Sequence, residues 1–237
     1  MCGRYASYLP PDAIGNLFRS AGRPNLPPNR NVAPTQSAAV IRRHPITGER
    51  RLDTLQWGLI PHLTTDLKTA RKPINARSET VATSGMFRDA LRARRCLVPA
   101  DAFHEWRAQQ DGKQLFAIAR QDGTPLAFAD VWEGWRSPEG EAVRSYAILT
   151  TQANATTSQL HERMPVILEP ADWPVWLGEV DGNPTALLRP AADDVLHLWP
   201  VSRSVNSVRN NGPELLNQIN DPYAPPPWDA PPGENPA

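Results

Sequence analysis

The chain has 237 residues, 40% hydrophobic and 21% charged, enough for a domain with its own core and too apolar for a disordered polymer. Two cysteines exclude a disulfide-built scaffold and a four-cysteine metal site. No run of about 18 apolar residues predicts a membrane span, and Met1-Cys2-Gly3-Arg4-Tyr5 lacks the apolar core of a signal peptide.

A soluble, reducing, cytoplasmic setting is therefore expected, with no cofactor and no metal. The formal charge is zero, yet residues 1–110 hold 17 Lys and Arg against 8 Asp and Glu, and residues 111–237 hold 8 against 17. That split predicts a polyanionic partner for the first part. Arginine outnumbers lysine 22 to 3, which suits phosphates and bases or reflects a GC-rich genome.

In chain order, residues 11–20 read as a short helix with Ile14, Leu17 and Phe18 on one stripe and Pro11 at its start. Residues 24–34 read as a Pro- and Asn-rich loop. Strand-like runs follow at 38–42, 52–59, 96–99, 102–106, 115–119, 126–132, 145–150, 166–168 and 196–201. Helical pieces are expected at 86–94, 156–161, 171–177 and 214–218. The 26 prolines argue for turns and against a helical bundle. An α+β domain follows, with a mainly antiparallel, curved or barrel-like sheet and short peripheral helices. It should span residues 1–220. The last 17 residues hold 7 prolines and read as an unpacked tail over 221–237.

Cys2 follows the initiator methionine, and removal of Met1 would expose a thiol and an α-amine on adjacent carbons. The amine has a pKa of about 7.7–8.0, so much of it is nucleophilic at cellular pH. Two chemistries use this pair. In acyl transfer the thiolate attacks with the amine as base. In aldehyde capture the amine forms a Schiff base and the thiol closes a five-membered thiazolidine. Alternatively Cys2 is the second residue of a frayed terminus. Cys96, in an apolar run, reads as buried and inert.

Period 2 puts Glu105 on a face with Phe103, and His104 on the other with Ala102 and Trp106. Aromatic neighbours would desolvate the Glu105 carboxyl and suit it to general acid work; otherwise it faces solvent. His161 sits where a helix turns into an apolar strand, as a group titrating near neutrality or as a cap for helix carbonyls. Asn75 and Arg77 share a face if residues 73–80 are extended; otherwise Asn75 is a turn residue.

Eight motifs then come in order. They are Met1-Cys2-Gly3-Arg4-Tyr5, Asn31-Val32-Ala33-Pro34-Thr35, Trp57-Gly58-Leu59-Ile60-Pro61, Ile74-Asn75-Ala76-Arg77-Ser78-Glu79-Thr80, Arg95-Cys96-Leu97-Val98-Pro99-Ala100-Asp101, Glu105-Trp106, His161-Glu162-Arg163-Met164-Pro165-Val166-Ile167-Leu168 and Val201-Ser202-Arg203-Ser204-Val205-Asn206. Over residues 2–218 the chain resembles the SOS response-associated peptidase (SRAP) family, the abasic-site processing proteins known as YedK-like in bacteria and HMCES-like in animals. The resemblance implies a monomer that links covalently to abasic sites in single-stranded DNA through a thiazolidine on Cys2. It also implies autoproteolytic removal of Met1, and association with the nucleoid when bound to DNA. It implies that Asn75 orients the Cys2 amine, that Glu105 is the acid/base, and that His161 helps form and reverse the linkage. Arg4, Arg77 and Arg163 fall at positions expected near phosphates or the lesion, and Pro34 at the DNA-binding surface.

There are departures from the family pattern. Pro61-His62-Leu63 lacks the tryptophans of close bacterial relatives. Gly85 stands where relatives often have arginine, a role for which Arg88, Arg92, Arg94 and Arg95 are candidates. Ala102 and His104 stand where the family often has Gly and Tyr. The main alternative is an N-terminal-nucleophile cysteine hydrolase, either a peptidase or a glutamine amidotransferase. The amidotransferase needs an early Asn-Gly pair, and the chain's only one is Asn211-Gly212. A further alternative is a non-catalytic arginine-rich binder of single strands.

Overall fold

The computed structural model describes residues 2–109, 112–137 and 139–220; Met1 and the expected tail lie outside them. Among the described residues twelve strands and four α-helices follow one another: β1 (Arg4–Ser7), α1 (Pro11–Phe18), β2 (Asn29–Val32), β3 (Ser37–Arg43), β4 (Arg50–Trp57), β5 (Asn75–Arg77), α2 (Arg88–Ala93), β6 (Arg95–Ala100), β7 (Ala102–Gln109), β8 (Gly112–Arg120), β9 (Leu126–Arg136), β10 (Ala142–Gln152), α3 (Ala155–Ser158), β11 (Arg163–Pro165), α4 (Trp173–Leu177) and β12 (Leu196–Val201). The fold is α+β, as expected, with a barrel at its centre.

The barrel closes because β9 and β10 pair with each other as well as with different neighbours. β3 joins β4, β4 runs parallel to β10, β10 is antiparallel to β9, and β9 returns through β6 to β3. Alternation along each strand separates two cores. Val40, Leu55, Trp57, Val98, Phe128, Tyr146 and Ile148 fill one. Ile41, Leu52, Leu97, Val131, Ala147 and Leu149 belong to the other, with Ile14 and Phe18 of α1, Leu91 of α2 and Trp176 of α4. Leu17, expected on the buried stripe of α1, is 41% exposed.

The second sheet runs β12-β8-β7-β1-β2 and covers the barrel. Phe103, Phe116, Ile118 and Leu196 share the barrel's core, while Leu115 and Ala117 pack against Val201, Val205 and Leu215. The sheet and barrel lock through aromatic rings. Phe128 meets Tyr5 and Phe103 edge-on, each at 6.0 Å between centroids, and Tyr5 meets Trp57 at 5.2 Å.

Three elements depart from expectation. The strand expected at 166–168 lies at Arg163–Pro165 instead. At Val166 the chain leaves β10 for β9: the Val166 carbonyl accepts from the Ala129 amide, and Ile167 makes a single bridge to Phe128. The helix expected at 214–218 is a 3-10 turn over Pro213–Leu216. Within the expected loop at 24–34, Asn29–Val32 pairs with β1 as an edge strand, where its Pro-flanked sequence is tolerated.

Phe128→Ala should cost about 3–5 kcal/mol, because it empties the joint between the two layers. Chemical denaturation checks this, and a loss below roughly 1 kcal/mol would show that the joint closes around the gap.

Candidate active site

Cys2 is completely buried where β1 enters the joint, in the core that also holds Tyr5, Trp57, Leu160 and Met164. Its thiol donates to the Arg4 carbonyl at 3.8 Å. Burial, helped by the negative charge of Glu105, pushes the thiol well above its ordinary pKa, so it is protonated at neutral pH. Asn75 opens β5, whose residues 75–77 pair parallel with Ile148, Leu149 and Thr150 of β10. Its Nδ2 donates to the Cys2 carbonyl at 2.8 Å, while its buried Oδ1 has no partner among the described residues. The stretch is extended, so Asn75 and Arg77 share a face. Ala76 between them is buried and Arg77 is exposed.

Glu105 lies on β7 opposite Phe116 and is 6% exposed. Burial raises its carboxyl above the ordinary range; the nearby His161 and the Trp106 amide oppose the rise. The desolvated alternative is therefore the one found. His104, on the other face of β7, is fully buried, and burial lowers its pKa to about 4, so it is neutral.

His161 follows α3, which is capped by the Asn154 side chain accepting from the Thr157 amide. His161 Nδ1 accepts the Arg163 amide at 3.0 Å. In the neutral ring this bond assigns the proton to Nε2. Cys2, Asn75, Glu105 and His161, far apart in sequence, thus form one constellation. A buried thiol, a carboxyl raised by burial and an imidazole of defined tautomer suit reactions that move protons between oxygen, nitrogen and sulfur. Among the described residues no group of three or more His, Cys, Asp or Glu side chains could hold a metal.

The arginines differ in availability. Arg77 is exposed, and no described residue holds its guanidinium. Arg77 and Arg163 line an open cleft of about 430 Å³ with Gln152, Ala153, Ser158 and Glu162. Arg4 Nη1 donates to Asn31 Oδ1 and to the Val205 carbonyl, each at 3.0 Å. Pro34 is half-buried in the turn from β2 to β3. Its successor Thr35 takes a left-handed φ of 73°, held by its amide donating to the Trp57 carbonyl at 2.8 Å. Of the candidate substitutes near Gly85, Arg88 and Arg92 are exposed. Arg94 pairs with Glu133, and Arg95 donates to the Leu91 carbonyl. After Pro61, His62 approaches Glu133 at 3.6 Å and Leu63 is 81% exposed.

Sequence reasoning missed the residues that brace the site. Asn31, 1% exposed, donates through Nδ2 to the Val205, Ser207 and Asn210 carbonyls, and Trp106 Nε1 donates to Asn206 Oδ1 at 3.0 Å. Asn31, Val205 and Asn206 stand in two of the ordered motifs, a signal without an assigned role. Asp130 is fully buried in β9, and burial holds its carboxyl well above the ordinary range. The Tyr5 and Tyr146 hydroxyls nearby are 2.6 Å apart.

The chain resembles known proteins along most of its length. It is 36% identical over 223 residues to the abasic site processing protein YoqW of Bacillus subtilis, covering 91% of this chain and 99% of that relative. It is 36% identical over 227 residues to the abasic site processing protein YoaM of the same organism, covering 93% and 99%. A crystal structure of a protein from Bacteroides thetaiotaomicron, 21% identical, superposes with a TM-score of 0.83 over 92% of this chain and 100% of that one, a likeness of fold. The family model described as SOS response associated peptidase (SRAP) matches residues 1–208, and the chain belongs to that family.

Proposed function

We propose that this protein processes abasic sites in single-stranded DNA by capturing the ring-opened sugar aldehyde on Cys2. The carrying observation is that Cys2 sits in a closed seat, its carbonyl held by Asn75, beside a Glu105 carboxyl that is itself buried and raised by that burial. The names of YoqW and YoaM supply the substrate class.

The chemistry requires a free α-amine on Cys2, hence removal of Met1, which we assign to autoproteolysis as the family description suggests. The amine adds to the aldehyde carbon. The resulting hydroxyl is protonated and leaves as water, giving an imine. The Cys2 sulfur then bonds to that carbon and its proton passes to nitrogen, closing the thiazolidine. Glu105 supplies the proton that opens the sugar and expels water. His161, with its proton on Nε2, serves as acid and base in closing and reopening the ring. Asn75 Oδ1 accepts a hydrogen bond from the amine or a sugar hydroxyl. We take the amine as the first nucleophile, because burial of Cys2 disfavours its thiolate. The same property disfavours a general cysteine peptidase, whose thiolate must attack first. The protein acts as a monomeric, lyase-like crosslinking enzyme. Arg77 and Pro34 face the strand, with Arg4 and Arg163 behind them.

Cys2→Ser should lose the heat-stable adduct on single-stranded DNA containing one abasic site. Denaturing gels and adduct mass read this, and an undiminished adduct would remove the thiazolidine. Glu105→Gln keeps the side chain's shape but cannot carry a proton. It should slow crosslinking by about 100- to 10,000-fold while leaving affinity for intact strands unchanged. Normal rates with weakened binding would make the carboxyl structural. The rate in the unaltered protein should be bell-shaped in pH, because it needs a neutral amine, favoured at high pH, and a protonated Glu105, favoured at low pH. Because burial raises Glu105, the fraction of molecules holding both forms at once is larger than an ordinary carboxyl would give, and the optimum lies at higher pH. Arg77→Ala should flatten the log–log salt dependence of binding by about 0.7, one phosphate contact on a single strand. An unchanged slope would take Arg77 off the DNA surface.

A further inference from the structure

Arg163 is the most heavily engaged arginine of the cleft. Its Nη1 and Nη2 donate to the two Glu79 carboxylate oxygens at 3.0 and 2.9 Å, and Nη2 also donates to the Thr150 carbonyl at 2.6 Å. The Arg163 side chain is 11% exposed while that of Glu79 is 44% exposed, so the carboxylate lies on the solvent side of the guanidinium. The fork–fork geometry is the one a phosphate would also adopt on arginine. Glu79 follows β5 and Arg163 opens β11, the two short strands that flank the end of β10. Across β10, exposed Arg77 carries a second positive charge to the same cleft. An incoming phosphate therefore meets one free arginine and one already satisfied by an internal anion.

We propose that Glu79 is a specificity-determining residue: it occupies the Arg163 guanidinium as an internal stand-in for phosphate and withholds that contact from undamaged strands. The inference rests on the reading of this face as a DNA surface. An intact strand that took Arg163 would have to displace a bidentate carboxylate, exchanging one ion pair for another with little net gain. A strand fixed covalently at Cys2 is held at high local concentration beside the cleft and can make the exchange. Non-specific binding is thereby limited while the captured strand gains a contact.

The test measures affinity of an undamaged single strand across salt. In Glu79→Gln the internal anion is gone and Arg163 is released, so affinity at low salt should rise. The log–log slope should steepen by about 0.7, which is an additional 2.6-fold or so of affinity lost between roughly 50 and 200 mM salt. Glu79→Gln combined with Arg163→Gln should return the slope to that of the unaltered protein. A Glu79→Gln slope equal to or shallower than the starting one, or a steepened slope that survives loss of Arg163, would overturn the proposal. If Glu79→Gln fails to fold, judged by its melting curve, the pair is a structural clamp and the proposal fails as well. Failure of the broader reading looks different: the unaltered protein would form no adduct on abasic DNA, whatever Glu79 does.

Discussion

An eleven-residue strand, β10, outlasts its neighbours on both edges. Its first half closes the barrel against β4 and β9, and its second half must find other partners for its backbone amides and carbonyls. β5 takes one edge and β11 the other. These three-residue pieces have no independent stability, yet they carry Asn75, Arg77 and Arg163, and β11 is entered through His161. The site exists because unpaired backbone at the end of a long strand recruits them.

Burial then does most of the electrostatic tuning. The Cys2 thiol and the Glu105 carboxyl are both shifted toward their protonated forms by loss of water, with neighbouring charges as smaller corrections. This environment is set by aromatic packing: Tyr5, Trp57, Phe103 and Phe128 exclude solvent from the seat of a residue at the start of the chain. Outside the seat, the cleft with Arg77 is open. A buried seat and an exposed cationic cleft are thus separated by a few residues of β5.

Much of this was legible in the sequence. Alternation located eight of the strands, and β12 matches its expected span of 196–201 residue for residue. The face shared by Glu105 and Phe103 also follows from period 2, because the pleat imposes it even where β7 is buried on both faces. The three-residue strands were less legible, since their pairing is imposed by β10 rather than by their own residues. β1 and β2 were also missed: four residues each, one at a terminus and one between prolines, they hold their place through the register of the sheet. Arg163 and Arg77 look alike in one dimension. Only the fold brings Glu79 across β10 and makes one arginine an internal partner and the other a free charge.

The brace between Arg4, Asn31 and Val205 has a consequence for the order in which the site is built. Arg4 and Val205 stand 201 positions apart in the chain and share a hydrogen bond. During synthesis β1 emerges long before the carbonyl that fastens it. Until the Val205 segment arrives, Arg4 lacks one of the acceptors that hold β1 in place. Synthesis of that distant segment, rather than emergence of β1, therefore sets the moment at which the brace can close.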